Sequence, residues 1–365
     1  MWMQRRYADG SVINKISQSQ FMEEIFGEES VGFARPKLQL ALMEEVRKRG
    51  IEVRFGAKVV GVVDDAENPG LRLQNGEVLN ADLIIGADGI GSITRRSIMN
   101  EKEAKISSLL SAYIVRIPIS AVENDPELAS YLGASNFWWG PGRMVIATKL
   151  EKLDILELHF YIDKELGEPG VWEKSATNDE VRKAYEGWDP AIFKMLDHCD
   201  TPNCWVWRIS GIAPLPSWIS PGGRVVIIGD ASHAMVPYAS QGASQGIEDA
   251  VVLAECLERD EVDLAMRLKI FEKIRKPRAE AVVEVAARNL RQIHLPDGPG
   301  QRERDEWWKS GKLGSSMPTG KWNSEAWEAV PDLDVNSFLA EAYLMGHDAI
   351  SYAHKILNRE VAAQN

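Results

Sequence analysis

The chain has 365 residues, 45% of them hydrophobic and 26% charged, enough for one large or two ordinary globular domains with a substantial core. Its formal net charge of −12 argues against nonspecific nucleic-acid binding, which needs Lys and Arg clustered against phosphate. No apolar run reaches the ~18 residues of a membrane span, the N-terminus lacks a signal-peptide core, and Cys199, Cys204 and Cys256 make no disulfide framework, so a reducing, cytoplasmic setting is expected.

In chain order, Asp9-Gly10 predicts a hairpin between Arg5-Arg6-Tyr7 and Val12-Ile13. A helix is predicted from Lys37 to Arg49, with Leu38, Leu42 and Val46 on one face and Gly50 as its stop. Strands are predicted at Ile51–Phe55, Lys58–Val63, Leu71–Leu73 and Val78–Leu79. Leu83–Gly86 reads as a strand buried on both faces. From Ser107 to Arg208 the pattern turns β-rich, at Ala112–Ile119, Met144–Thr148, Ile155–Ile162 and Trp205–Ile209, with a helical piece carrying Val181, Tyr185, Ile192 and Met195. Strands without regular helical crossovers predict an antiparallel sheet layer. Arg224–Ile228 is again a buried strand. Helices follow at Gly246–Arg259 and Val262–Leu290, the second with Pro277 as a kink or break, and at Val335–Val361. The run Arg302–Asp305 reads as a solvated face. His198, Cys199 and Cys204 lack a second ligand pair, so no metal is expected.

Two segments carry the chemistry. Asp82–Arg95 runs a buried strand into Gly86-Ala87-Asp88-Gly89, and ligands bind at that end of strands in open α/β sheets. Asp88 would accept from hydroxyls of a cofactor, and Arg95 would face anionic groups or pair with an acid. Gly229–Ala250 repeats the logic: a strand ends in Gly229-Asp230, a loop carries His233 and Pro237, and Gly242-Ala243 opens a helix. Its free N–H groups and dipole suit negative charge. Glu248 and Asp249 would favour that dipole, and His233 reads as a packed loop histidine before it reads as a base. Trp138-Trp139 and Trp205/Trp207 fit an aromatic pocket or, more commonly, packed core.

Gly86–Gly89 with Ser92 and Arg95 resembles the Asp-Gly motif of the FAD-dependent aromatic-ring hydroxylases, and 229–250 resembles their Gly-Asp motif. The salicylate-hydroxylase-like group, including fungal enzymes of secondary metabolism, is the nearest likeness. Arg5–Gly10, Phe33–Leu38 and Arg275–Arg278 extend it. The resemblance implies a mixed α/β fold: a discontinuous Rossmann-like FAD-binding part (1–106 and 215–295), a β-sheet substrate domain (107–214) and C-terminal helices (296–365). It implies FAD as cofactor, NADH or NADPH as reductant, O2 as co-substrate, and hydroxylation of an aromatic or polyketide-like substrate through a flavin hydroperoxide; a homodimer is compatible with it. Arg35, Asp88, Gly89, Asp230, Pro237, Gly242 and Ala243 would contact the cofactor.

The sequence also departs from that family. The Gly-x-Gly-x-x-Gly fingerprint of the first βαβ unit has no match. An upstream segment, a naturally shortened homologue or a second polypeptide would each account for this. Where relatives carry Tyr-Arg before Ile-Pro, Tyr113 is followed by Ile114. Arg116, on the same strand face as Ile114, is the candidate substitute, and Tyr113 and Arg116 are the candidate catalytic residues. Arg143 and Ala147 stand at the relatives' His and Tyr, and Ser240 at a usual Gly. A non-catalytic homologue binding a small molecule or partner through the sheet domain is the competing expectation, with a related flavin epoxidase as a third.

Overall fold

A computed structural model describes residues 1–17, 23, 35–99, 106–168, 172–199, 203–310 and 345–363. Strands β1 (Trp2–Arg6) and β2 (Val12–Ile16) form the expected hairpin, turned at Gly10, whose φ of +66° suits a residue without Cβ. The helix Arg35–Lys48 follows, then β3 (Val59–Val63), β4 (Gly70–Leu73), β5 (Val78–Asn80) and β6 (Ile84–Gly86). Beyond the short helix Ile93–Ile98 come β7 (Ile106–Pro118), β8 (Ser135–Gly140), β9 (Arg143–Leu150), β10 (Ile155–Ile162) and β11 (Trp172–Thr177). Helices Asn178–Ala184 and Pro190–Asp197 precede β12 (Asn203–Ile212) and β13 (Val225–Ile227). Helices Gly242–Leu257, Leu264–Ile293, Pro299–Lys309 and Ala349–Ala362 complete the order.

Eight strands form one sheet in the order β11-β12-β7-β10-β9-β8-β1-β2, antiparallel except for the parallel pair β1 and β8. Side chains alternate between its faces. One face sends Tyr113, Val115, Val145, Leu158, Phe160 and Val206 into a core closed by Val181, Ile192 and Met195 of the two helices after β11. Those helices begin where the sequence offers caps. Thr177 and Glu180 form a capping box, and Asp189 accepts from the Ala191 amide. Asp189 also accepts from the fully buried Trp138 indole at 2.7 Å. The opposite face packs Leu110, Ala112, Trp139 and Tyr161 against Tyr238, Leu290 and Trp308. A third core joins β13 to the helices through Val226, Leu253, Phe271, Ile274 and Leu357.

Several expectations change. The hairpin of residues 1–16 belongs to the large sheet rather than to the cofactor part, because β1 pairs with β8 from Trp2↔Ser135 to Arg6↔Trp139. The C-terminal helices are docked: Trp308 meets Trp139 at 5.3 Å, and the last helix buries Ala353, Ile356 and Leu357. Arg302–Asp305 is not a solvated face. Arg304 and Asp305 are buried, and Arg304 donates to Asp305 and to the carbonyls of Gln292 and Ile293. Ile51–Phe55 forms no strand: its backbone joins no ladder, and Ile51, Val53 and Phe55 are exposed. On the helix before it, Leu38 and Val46 are half-buried but Leu42 is exposed. On β6, Ile84 is buried while Ile85 is 46% exposed, so among the described residues this strand is covered on one face. Helix Leu264–Ile293 continues through Pro277. The missing donor costs roughly 3 kcal/mol in a helix interior, and buried anchors on either side, Arg275 and Arg278, offset it. The helix expected at Val335–Val361 spans Ala349–Ala362, with 335–344 outside the described residues, as are Phe33 and Ala34.

Those two arginines close a buried charge network. Arg275 Nε donates to Asp249 Oδ1 at 2.8 Å, its Nη1 to Glu248 Oε2 at 2.6 Å and its Nη2 to Gln245 Oε1 at 2.7 Å. Arg278 grips both Glu248 oxygens, at 2.6 and 2.7 Å. Burial pushes both carboxyls toward protonation. The hydrogen bonds and charges of His233 and Arg275 on Asp249, and of Arg278 and Arg275 on Glu248, outweigh it and hold both below their ordinary values.

Replacing Arg275 with Met strands Asp249 in the interior and is expected to lower unfolding stability by about 3–5 kcal/mol. Denaturant titration at neutral pH checks this, and a loss below about 1 kcal/mol would mean that the network is not a structural anchor. Because the folded values of Asp249 and Glu248 are depressed, their contribution is complete above the unfolded carboxyl range near pH 4 and is lost as pH falls below it. The denaturation midpoint of the native chain should therefore drop on acidification through that range. In the sheet domain, Asp189→Ala removes a helix cap and leaves the Trp138 indole without its acceptor, at an expected cost of about 2–4 kcal/mol by the same titration.

Candidate functional site

The two chemistry-bearing segments leave adjacent strands. β6 and β13 pair in parallel, Ile84 opposite Val225 and Gly86 opposite Ile227, so Gly86–Gly89 and Ile228–Asp230 emerge side by side. Asp88 then turns back on its own chain. Its carboxylate accepts from Ser92 Oγ at 2.5 Å, the Ile93 and Thr94 amides at 2.8 and 3.0 Å, and Thr94 Oγ1 at 3.1 Å. Burial alone would raise its pKa; these donors bring it below the ordinary value. Asp88 thus shapes the start of helix Ile93–Ile98, and the expected open acceptor for cofactor hydroxyls is largely occupied. Gly89, at φ +76°, makes the turn beside it. Arg95 feels the charge of Asp88. It is buried and donates to the carbonyls of Ala231 at 3.0 Å and Ile90 at 2.5 Å, which locks the first segment to the second.

The second segment is held from beneath. The Gly229 amide donates to Asp249 Oδ2 at 2.8 Å, and His233 Nε2 lies 2.6 Å from the same oxygen. His233 is buried against the Trp218 ring, as a packed histidine would be. Glu248 and Asp249 face the Arg275 network rather than the helix start. Asp230 opens a one-turn helix with its residue exposed to solvent. Pro237 begins a short turn ending at Ser240 in the left-handed region, φ +54°. Helix Gly242–Leu257 then starts with no side-chain cap, leaving the positive end of its dipole and its first amides, at Gly242 and Ala243, open to an anion. The residues present fit the ring end of a flavin here. Arg35, at the first position of its helix, is exposed.

The candidate catalytic pair is divided by the sheet. Tyr113 lies in the core on the helical side, and Arg116, three residues on, projects from the other face. Arg143 and Ala147 also belong to the helical side, Arg143 over the Tyr185 ring and Ala147 in the core. The face shared by Arg116 has its own rows of side chains. Register aligns Trp205, Ile114, His159, Ile146 and Phe137 across five strands, and Trp207, Ala112, Tyr161, Met144 and Trp139 in the next row. Of the expected aromatic pairs, Trp139, Trp205 and Trp207 share this face, while Trp138 is core. Arg116 Nε donates to Glu157 Oε2 at 2.6 Å, and His159 Nε2 meets Glu157 Oε1 at 2.8 Å. The second row is roofed by Tyr238, whose ring meets that of Tyr161 at 5.7 Å and whose hydroxyl is 2.7 Å from His294 Nε2; His294 Nδ1 is 2.7 Å from Asp163. Sequence reading passed over Glu157, His159, Tyr161, Tyr238 and His294. The alternation Glu157-Leu158-His159-Phe160-Tyr161 was the available signal for the first three, since it lays polar groups on one strand face.

Comparison with known proteins gives the family and the fold. A family model described as FAD binding domain matches residues 13–197 and 215–286. The FAD-dependent monooxygenase OpS4 of Beauveria bassiana is 28% identical over 358 residues, 96% of this chain and 79% of its own length. The 3-amino-4-hydroxybenzoate 2-monooxygenase PtnB3 of Streptomyces platensis is 29% identical over 90% of this chain and 78% of its own length. Among solved structures, a salicylate hydroxylase substrate complex superposes with TM-score 0.69 at 22% identity, covering 94% of this chain and 81% of that one. CtdE in complex with FAD and a substrate gives 0.76 at 19%, covering 99% and 81%. The chain belongs to the FAD binding domain family and has the mixed α/β fold seen in the salicylate hydroxylase.

Proposed function

We propose that this protein is an FAD-dependent monooxygenase that uses NADH or NADPH to insert one oxygen atom into an aromatic or polyketide-like small molecule lying on the face of the large sheet that carries Tyr161. One observation carries the reading. The turn that leads into the open helix start at Gly242 is the same turn whose Tyr238 rests on Tyr161 of the sheet, so the anion-accepting helix end and the aromatic face adjoin. The monooxygenase names of the relatives point the same way.

When bound and reduced, FAD supplies activation of O2 and transfer of one of its atoms. The chain's residues do the rest. Gly242 and Ala243 offer amides to negative charge on the ring. Asp230 would accept from the ribityl chain, and Pro237, Gly89 and Arg35 would border the cofactor. The aromatic rows orient a planar substrate by stacking and keep water from the reacting atoms. In this reading residues 215–295 with the Asp-Gly segment form the cofactor side and residues 107–214 the substrate side.

The test is the visible spectrum of the full chain after FAD addition and gel filtration, followed by titration of FAD fluorescence. Retained flavin bands with tight quenching are expected, and Asp230→Ala should weaken binding by roughly 10–100-fold, the worth of a hydrogen bond to a charged group. A colourless protein would sink the proposal. Retained flavin with no NAD(P)H oxidation in the presence of phenolic substrates would leave a flavin-binding protein without this activity.

A further inference from the structure

The Arg116, Glu157 and His159 contacts form a directed chain on the one sheet face that the turn at Tyr238 does not fully roof. His159 and Glu157 are part-buried, and Arg116 is 56% exposed. Glu157 is held anionic: burial would raise its pKa, but the hydrogen bond from His159 and the hydrogen bond and charge of Arg116 lower it. An anionic Glu157 accepts an N–H from His159 Nε2 at 2.8 Å, which fixes the neutral ring as the Nε2–H tautomer and leaves the Nδ1 lone pair as an acceptor. That lone pair faces the Tyr161 hydroxyl at 3.2 Å, a long contact for an O–H donor. Burial pushes the Tyr161 hydroxyl well above the ordinary phenol range, so it stays a neutral donor. The ionisable groups around His159 are Glu157 and Tyr161 on its own strand, Arg116 on β7 and Tyr238 beyond Tyr161; β9 presents Ile146 and Thr148. In the row through His159, Ile114, Ile146, Phe137 and Trp205 make an apolar and aromatic bed for a planar ring.

We propose that His159 is the base for a substrate carrying an acidic ring hydroxyl: the hydroxyl displaces Tyr161 from Nδ1 and gives up its proton there, with Glu157 and Arg116 as positioning residues. The substrate O–H bond breaks and an Nδ1–H bond forms. The electron pair stays on the substrate oxygen, the imidazolium is neutralised by Glu157, and the freed Tyr161 hydroxyl donates to the new phenolate. Such a phenolate is the electron-rich form of the ring that oxygen insertion needs. The inference rests on the reading of this face as the substrate face, and it selects phenols over ring ethers and unsubstituted arenes.

The probe is 4-nitrophenol, whose phenolate is yellow, added to the full chain without turnover. Binding is followed by quenching of tryptophan fluorescence, and ionisation of the bound probe by absorbance across pH. In the native chain the bound probe should ionise about one pH unit or more below the free probe. His159→Gln should return that midpoint to the free value while binding of the neutral, acid-side form of the probe changes by less than about threefold. Glu157→Gln, which keeps the side-chain shape but frees the tautomer, should lose part of the shift, and serves if the histidine variant does not fold. A shift unchanged in both variants would overturn the relay while leaving the substrate face intact. No quenching and no spectral change in the native chain would overturn the face itself, and the relay with it.

Discussion

Asp249 is fully buried, and each of its oxygens is committed to a different part of the fold. One binds Arg275 of the long helix; the other takes the Gly229 amide and lies against His233. A buried carboxylate without partners is among the costliest groups in a protein, and one that is fully partnered fixes the position of everything it touches. What it touches here is the strand end, the helix Gly242–Leu257 on which it sits, and the helix that crosses behind. The loop from Gly229 to Gly242 can be open at its tip because it is anchored at its base. Gly229, at φ +59° and packed against Gly246, brings that loop down onto the helix. Arg95 adds a second tie by donating to the Ala231 carbonyl, so the two segments are joined directly.

The large sheet divides labour by parity. On β7, Tyr113, Val115 and Ile117 feed the core under the helices after β11, and Leu110 and Ala112 face Tyr238 and the end of the long helix. Polar groups tolerated on the second face are paired along or across strands: Arg116 with Glu157, Glu157 with His159, His159 with Tyr161. Pairing of this kind keeps a half-buried face from becoming a destabilising one. The same strand therefore supplies both a dry core and a face with acid–base character. The turn at Tyr238 and the end of the long helix, tied to β10 through His294 and Asp163, set how much of that face stays open.

Much of this was legible in residues. The short apolar strands Ile84–Gly86 and Val225–Ile227, the glycines after them, and the uncapped Gly242 start follow from local composition, because apolar strands, tight turns and helix ends have short-range causes. The small hairpin and the capped helices at Thr177 and Asp189 have equally local causes. Asp88 illustrates the limit. Its place after a strand is plain in the sequence. Whether its carboxylate faces outward or folds back on Ser92, Ile93 and Thr94 depends on a turn only the backbone geometry defines.

The sequence by itself determined the class of fold and most of its strands and helices, since these are written in contiguous residues with short-range periodicity, and its two glycine-rich segments carried the resemblance to flavin-dependent hydroxylases. Only the tertiary structure decided which strand each face belongs to and which charges meet. Trp2–Arg6 joins a strand 133 residues away, Tyr113 and Arg116 part across the sheet, and Arg275 reaches back 26 residues to Asp249. Pairings over such distances are selected by register and by the cost of burying an unmatched charge, and neither quantity exists until the chain has folded.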